Sequence, residues 1–77
     1  MNNKRRKRII DLSETLSTIC SVVSELSSEE SDAIDHIPES LQDSEKCSRM
    51  EDIVDMLDEA AENIDDAIGL LRECVAR

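Results

Sequence analysis

Apolar residues spaced alternately three and four apart confine this chain to long helices packed side by side. In the second half they fall at Met50, Ile53, Leu57, Ala60, Ile64, Ala67, Leu71 and Cys74, an unbroken heptad run. In the first half they fall at Ile9, Leu12, Leu16, Ile19, Val23, Leu26, Ala33 and Ile37, and only Glu30 interrupts the series. The chain holds one Gly and one Pro, so it has few places to turn. The spacing predicts a single domain over residues 1–77: helix 1 over about 4–36, a linker over 37–43 and helix 2 over about 44–76.

The linker reads "IPESLQD". Pro38 lacks a backbone donor and pushes Ile37 out of the helical region, so helix 1 ends by His36 or Ile37. Pro38 can start one short turn through Leu41, which is expected to fold back over the end of the core. Asp43 or Ser44 is placed to cap helix 2. A connection this short makes the helices antiparallel neighbours. Facing residues then share a constant index sum. A sum of 83 pairs Ile9 with Cys74, Leu12 with Leu71, Leu16 with Ala67, Ile19 with Ile64 and Leu26 with Leu57.

The apolar surface is wider than this seam. Helix 2 adds Val54, Ala61, Ile68 and Val75, and helix 1 adds Ile10, Cys20, Val22 and Ile34. Three apolar positions per heptad are too many for one partner helix. There is also no Phe, Tyr or Trp to enlarge a core. A chain of this length buries only about 60–65% of its unfolded surface. The expected fold is therefore all-α, a helical hairpin self-associating into a four-helix or larger bundle. Val54, Ala61, Ile68, Val75, Ile34 and Cys20 are the expected oligomer interface. Glu30 is either a solvent-reaching residue or a polar group that specifies register.

Charge is segregated. The net charge is −10, yet Lys4, Arg5, Arg6, Lys7 and Arg8 are consecutive. Two readings of this pentad stand side by side. In one it neutralises the C-terminal end of helix 2, near Glu73. In the other, tips brought together by oligomerisation form a phosphate- or anion-binding site, with forked donors from the arginines and point charges from the lysines. The lack of aromatic residues to stack a base argues against nucleic acid. An acidic body repels anionic membrane, and no stretch reaches the roughly 18 apolar residues of a span. Asp11 and Glu14 interrupt any signal-peptide core, so a soluble, cytoplasmic protein is expected.

No catalytic constellation emerges, so the chain reads as a non-enzyme without cofactor. Glu59, Glu62, Asp65 and Asp66 have the one-face spacing of an Mg²⁺-dependent pyrophosphatase, but nearly every exposed position of helix 2 is acidic. A solvated face is the plainer reading. A di-iron bundle needs Glu-x-x-His, and Ala33 stands three residues before His36. Cys20, Cys47 and Cys74 are odd in number and lack a CxxC pair, which favours reduced structural thiols over disulfides or zinc. Gly69 falls on the polar face of helix 2.

Pro38, Glu39, Ser40, Leu41, Gln42, Ser44 and Glu45 form a "PESLQ-x-SE" linker, followed by Met50, Glu51, Asp58, Glu59, Ala60, Asp66, Ala67 and Ile68 in an acidic helix. In these features the chain resembles a group of small helical-hairpin proteins carried by phages and mobile elements of Firmicutes. Lys46-Cys47 departs from the Arg-Gly or similar pair expected in that group. The resemblance implies a context and no particular activity. It implies an accessory protein in the host-cell cytoplasm that acts by binding, its target a nucleotide immune signal or a host defence protein. In the first case Lys4 to Arg8 grip phosphates. In the second the acidic face of helix 2 (Glu51, Asp52, Asp55, Asp58, Glu59, Glu62, Asp65, Asp66) meets a basic partner surface. The alternative is a structural oligomerisation or adaptor module without a small-molecule ligand.

Overall fold

A computed structural model describes all residues, Met1–Arg77. Two α-helices, α1 (Asn3–Asp35) and α2 (Glu45–Ala76), are joined by a 3₁₀ turn at Glu39–Leu41. There are no strands, and the chain is an all-α helical hairpin. It is a rod, 60 × 14 × 13 Å.

Local chemistry sets the helix ends. Asn2 is extended, and its Oδ1 accepts a 2.8 Å hydrogen bond from the Arg5 backbone N–H, satisfying one orphan donor of α1. Ser44 caps α2 in the same way, accepting from the Cys47 N–H at 3.2 Å. At the other end of α1 the His36 and Ile37 N–H groups reach back to Ala33 and Ile34. Pro38 then adopts φ −53° and ψ 140°, and the helix cannot continue. The Leu41 N–H returns to the Pro38 carbonyl at 2.8 Å, closing the short turn. Leu41 lines a shallow hollow with Ala33, Ile37, Pro38 and Met50. It remains 55% exposed, so it does not plug the core as its position predicts.

The seam differs from the expected one. In α1 the residues with reduced exposure are Arg6, Ile9, Ser13, Leu16, Cys20, Val23, Ser27, Glu30 and Ile34, with Ile37 just beyond the helix and Ser17 half-buried beside the seam. In α2 they are Cys47, Met50, Val54, Leu57, Ala61, Ile64, Ile68, Leu71 and Val75, with Ala60 and Ala67 half-buried beside the seam. Both series are regular heptads, and one index sum of 84 carries Ile9 to Val75, Leu16 to Ile68, Val23 to Ala61 and Ile34 to Met50. Two cross-helix hydrogen bonds anchor this register. The Cys20 thiol reaches the Ala61 carbonyl at 3.4 Å, and the Ser27 hydroxyl donates to Asp58 Oδ1.

One column of each expected seam is kept, and the other is exchanged. Leu12, Ile19, Leu26 and Ile53 were expected inside and lie largely exposed. Cys20, Ile34, Val54, Ala61, Ile68 and Val75 were expected between molecules and instead lie along the intramolecular seam, where Ile68 is only 4% exposed. Each helix is rotated by about 50°, half the 100° between successive residues. Ser13, Cys20 and Ser27 form a column of small side chains on this seam, and Cys20 and Ser27 hydrogen-bond across it to α2. Burying the two hydroxyls carries no orphan cost, because Ser13 donates to the Ile10 carbonyl at 2.8 Å and Ser27 to Asp58.

Candidate functional site: an apolar side and a basic tip

Only four of 77 residues are buried: Ser13, Ser27, Cys47 and Ile68. The rest of the apolar content therefore lies on or near the surface, and its placement is uneven. In an antiparallel helix pair, equivalent flanking columns of the two helices face the same side. The flank occupied by Leu12, Ile19, Leu26 and Ala33 in α1 thus shares one side of the hairpin with Ile53, Ala60, Ala67 and Cys74 in α2. The next column outward adds Val22, Met56 and Leu70, interspersed with Thr15, Glu29, Arg49 and Asn63. Of ten exposed large apolar side chains, seven belong to this side: Leu12, Ile19, Val22, Leu26, Ile53, Met56 and Leu70. The opposite flank carries Ile10, Ser17, Ser24 and Ser31 beside Glu51, Asp58, Asp65 and Arg72. The hairpin is two-sided: one side apolar, the other serine-rich and charged.

The accessible surface is 5915 Å². A compact monomer of 8.7 kDa exposes about 4,700 Å² by the usual scaling with mass. The excess, about 1,200 Å², follows from the elongated shape, 60 × 14 × 13 Å.

The basic pentad occupies the first turns of α1. Under the 84 register, Lys4 to Lys7 lie level with Arg77 or beyond it, so the tip overhangs the end of α2. The expected approach to Glu73 is not made, because Glu73 pairs with Arg77 at 2.8 Å. Lys7 has an exposed partner in Asp11 at 3.7 Å, and Lys4, Arg5, Arg6 and Arg8 have no ion pair. Arg5 and Arg8 line a shallow groove with Ile9 and Leu12. Arg6 lies on the seam column, half-buried, and its Nε is buried without a hydrogen-bond partner.

The remaining candidates stand apart from one another. Glu59, Glu62, Asp65 and Asp66 are all exposed, and no group of three or more His, Cys, Asp or Glu side chains is gathered to hold a metal ion. His36 caps α1, with Nδ1 2.7 Å from the Asp32 carbonyl. The three thiols are free. Cys47, 1% exposed, lies 3.9 Å from Glu51 Oε1. Burial, and then the charges of Glu51 and Asp43, push its thiol above the usual value of 9.0 and disfavour the thiolate. Glu30 sits half-buried in the seam without an ion-pair partner. No helix is long and apolar enough to cross a membrane. Comparison of the chain with protein-family models, curated proteins and solved structures found no match.

Sequence reasoning found the three apolar columns and assigned the outer one wrongly. Residue size alone does not separate them, since Ser17, Ser24 and Ser31 form an equally small column; what marks the Ser13, Cys20 and Ser27 column is its hydrogen bonds across the seam, from Cys20 to Ala61 and from Ser27 to Asp58.

Proposed function

We propose that this protein acts by binding and not by catalysis, as a self-associating helical module whose apolar side is covered by another helical surface. The observation that carries this reading is the gathering of seven of ten exposed large apolar side chains on one side of the hairpin. Monomeric proteins seldom leave so continuous an apolar strip in water, and three apolar columns per helix match the core-facing pattern of a bundle. In a phage accessory role, such a module holds a host defence protein or presents its acidic outer surface to a basic one. Sedimentation equilibrium tests the self-association. A mass above 8.7 kDa that reverts to the monomer in Ile19→Glu and Leu26→Glu is expected. A wild-type monomer at about 100 μM refutes it.

A second reading is favoured by the unpaired charges of Lys4, Arg5, Arg6 and Arg8. Two such tips side by side form a phosphate-binding site, fit for a nucleotide signal. Titration calorimetry with linear and cyclic nucleotides tests it: stoichiometric binding is expected, lost when Arg5 and Arg8 become Gln. Heat-silent titrations across the panel remove this reading and leave the first intact.

A further inference from the structure

Resting on the self-association proposed above, we infer that the apolar side is covered by a second copy of this chain running in the opposite direction. Each basic tip then lies against the acidic turn of the other copy.

Packing narrows the arrangements to two. Face-to-face hairpins related by a two-fold axis run either with the tips together or with the tips at opposite ends. The tip-together axis lies along the rod and sets α1 against the other copy's α2. At an index sum of 86, Leu12 then meets Cys74 and Ile19 meets Ala67. The opposed axis crosses the rod and sets α1 against α1 and α2 against α2. Midpoints now matter. The α1 flank is centred between Ile19 and Leu26, and the α2 flank between Ala60 and Ala67. Those two midpoints, 22.5 and 63.5, sum to 86, close to the intramolecular register of 84, so they lie at nearly one level along the rod. One crossing axis therefore brings both flanks into register at once. Leu12 then covers Ala33, Ile19 covers Leu26, and Ile53 covers Cys74 of the second copy. Large residues meet small ones at every layer when the tips lie together, whereas the opposed arrangement sets Ile19 on Leu26 and Ala60 on Ala67, so the opposed arrangement rests on charge and not on shape.

Charge favours opposed tips. Residues 1–12 and 72–77 make up one end of the rod and hold seven basic and two acidic side chains, net +5. The remaining residues, 13–71, hold two basic and seventeen acidic side chains, net −15. Joining tips stacks +5 on +5 at one end and acid on acid along the rest, within a distance that salt screens poorly. Opposing them sets Lys4 to Arg8 level with residues 37–41 of the second copy, among Asp35, Glu39 and Asp43. The tip's unpaired guanidinium groups and that turn's unpaired carboxylates then complement each other, and the basic pentad of an acidic chain acquires a role.

The test measures direction separately from association. A single spin label is placed at the exposed turn by Ser40→Cys, with Cys20→Ser, Cys47→Ala and Cys74→Ser. Sedimentation is expected to give a dimer. Pulsed dipolar spectroscopy is expected to give about 50 Å between labels, from 1.5 Å per residue over the two half-lengths. A dimer with labels closer than about 30 Å, the scale of a bundle's width, overturns the opposed arrangement and leaves self-association standing. A monomer overturns both. If removing the thiols unfolds the chain, Ile53→Cys in the otherwise native sequence decides. It faces Cys74 of the second copy only in the opposed arrangement, so mild oxidation is expected to give a disulfide-linked dimer. An oxidised chain that runs as a monomer overturns the inference.

Discussion

Exchanging the seam column makes a sharp prediction about Ile68 and Ile53, two isoleucines fifteen positions apart on one helix. Ile68 is 4% exposed and Ile53 is 41% exposed. Ile→Ala removes three carbon groups, worth roughly 2.4 kcal/mol when all are out of water. The cavity left at Ile68 adds to this. The seam of a two-helix pair is open along both edges and can partly close, so the total falls in the lower half of the range for buried residues, about 3 kcal/mol. At Ile53 much of the side chain already touches water, and Ala's better helix propensity offsets part of the rest. The cost there is about 1 kcal/mol or less while the chain is monomeric. A domain of 77 residues has about 4–12 kcal/mol of stability in all, so Ile68→Ala removes a large share. Its melting temperature should fall by about 12–24 °C, against a few degrees for Ile53→Ala. Thermal and urea unfolding followed by circular dichroism make the comparison, at a concentration where sedimentation gives the monomer. Equal costs, or a larger cost at Ile53, would put the Ile53, Ala60, Ala67 and Cys74 column back in the seam and refute the rotation of the helices.

Other substitutions probe single features of the same frame. Asp58→Ala strands the buried Ser27 hydroxyl and should cost about 1–3 kcal/mol, while Ser27→Ala alone costs about 1 kcal/mol and the double variant less than the two together; strictly additive losses by urea denaturation would deny the bond. Gly69→Ala meets nothing within 4 Å of its new Cβ and should stabilise the protein by up to about 1 kcal/mol, read as a higher urea midpoint. Brief exposure to a maleimide should label Cys74 first and Cys47 last, as intact-mass spectrometry will show; early modification at Cys47 contradicts its burial. Because the folded state holds the Cys47 thiol above its ordinary value of 9.0, its effect on stability is flat below pH 9 and turns unfavourable as pH rises beyond it. Cys47→Ala should make the stability curve less steep above pH 9, and an unchanged slope would remove the effect.

Much of the frame was legible in the sequence because it rests on local rules. Pro38 ends α1 through a missing donor and a fixed φ, and Ser44 starts α2 through its hydroxyl, so the element bounds agree to within a residue or so. The register was nearly legible too. The Cys20–Ala61 and Ser27–Asp58 hydrogen bonds have index sums of 81 and 85, on either side of the expected 83. The facing columns were less so. Hydropathy ranks Leu12, Ile19 and Leu26 above Ser13, Cys20 and Ser27, but a serine that bonds its own helix or an acid across the seam is no longer a polar cost. That choice depends on hydrogen bonds formed only after the helices meet. The site was half legible for a related reason. The charge of Lys4 to Arg8 is plain in the sequence, while the pairing of Glu73 with Arg77, which leaves Lys4, Arg5, Arg6 and Arg8 without an ion pair, is a matter of geometry.

The two faces of the hairpin divide the work of specifying a bundle. Within the chain the seam is built for register more than for area: small residues at Ser13, Cys20 and Ser27, a hydrogen bond to Asp58 and a half-buried carboxylate at Glu30. A one-residue slip would part Ser27 from Asp58 and move Glu30 against a different layer, so the alternatives are penalised even though the seam buries little. The apolar side has the opposite character. Leu12, Ile19, Leu26 and Ile53 offer area without a polar group to fix alignment. Leucine-rich surfaces of that kind associate readily and discriminate poorly. Direction along such a surface must then be set by something outside it. In this chain the segregated charge, a +5 tip on a −15 body, is the feature placed to set it. Changing Lys4, Arg5 and Arg8 to Glu should therefore weaken association while leaving the hairpin's helicity intact, and it should do so more at low salt than at high salt. Sedimentation at two ionic strengths makes that comparison. Association that is unchanged, or stronger at low salt, would mean that the tip takes no part in holding the two copies together.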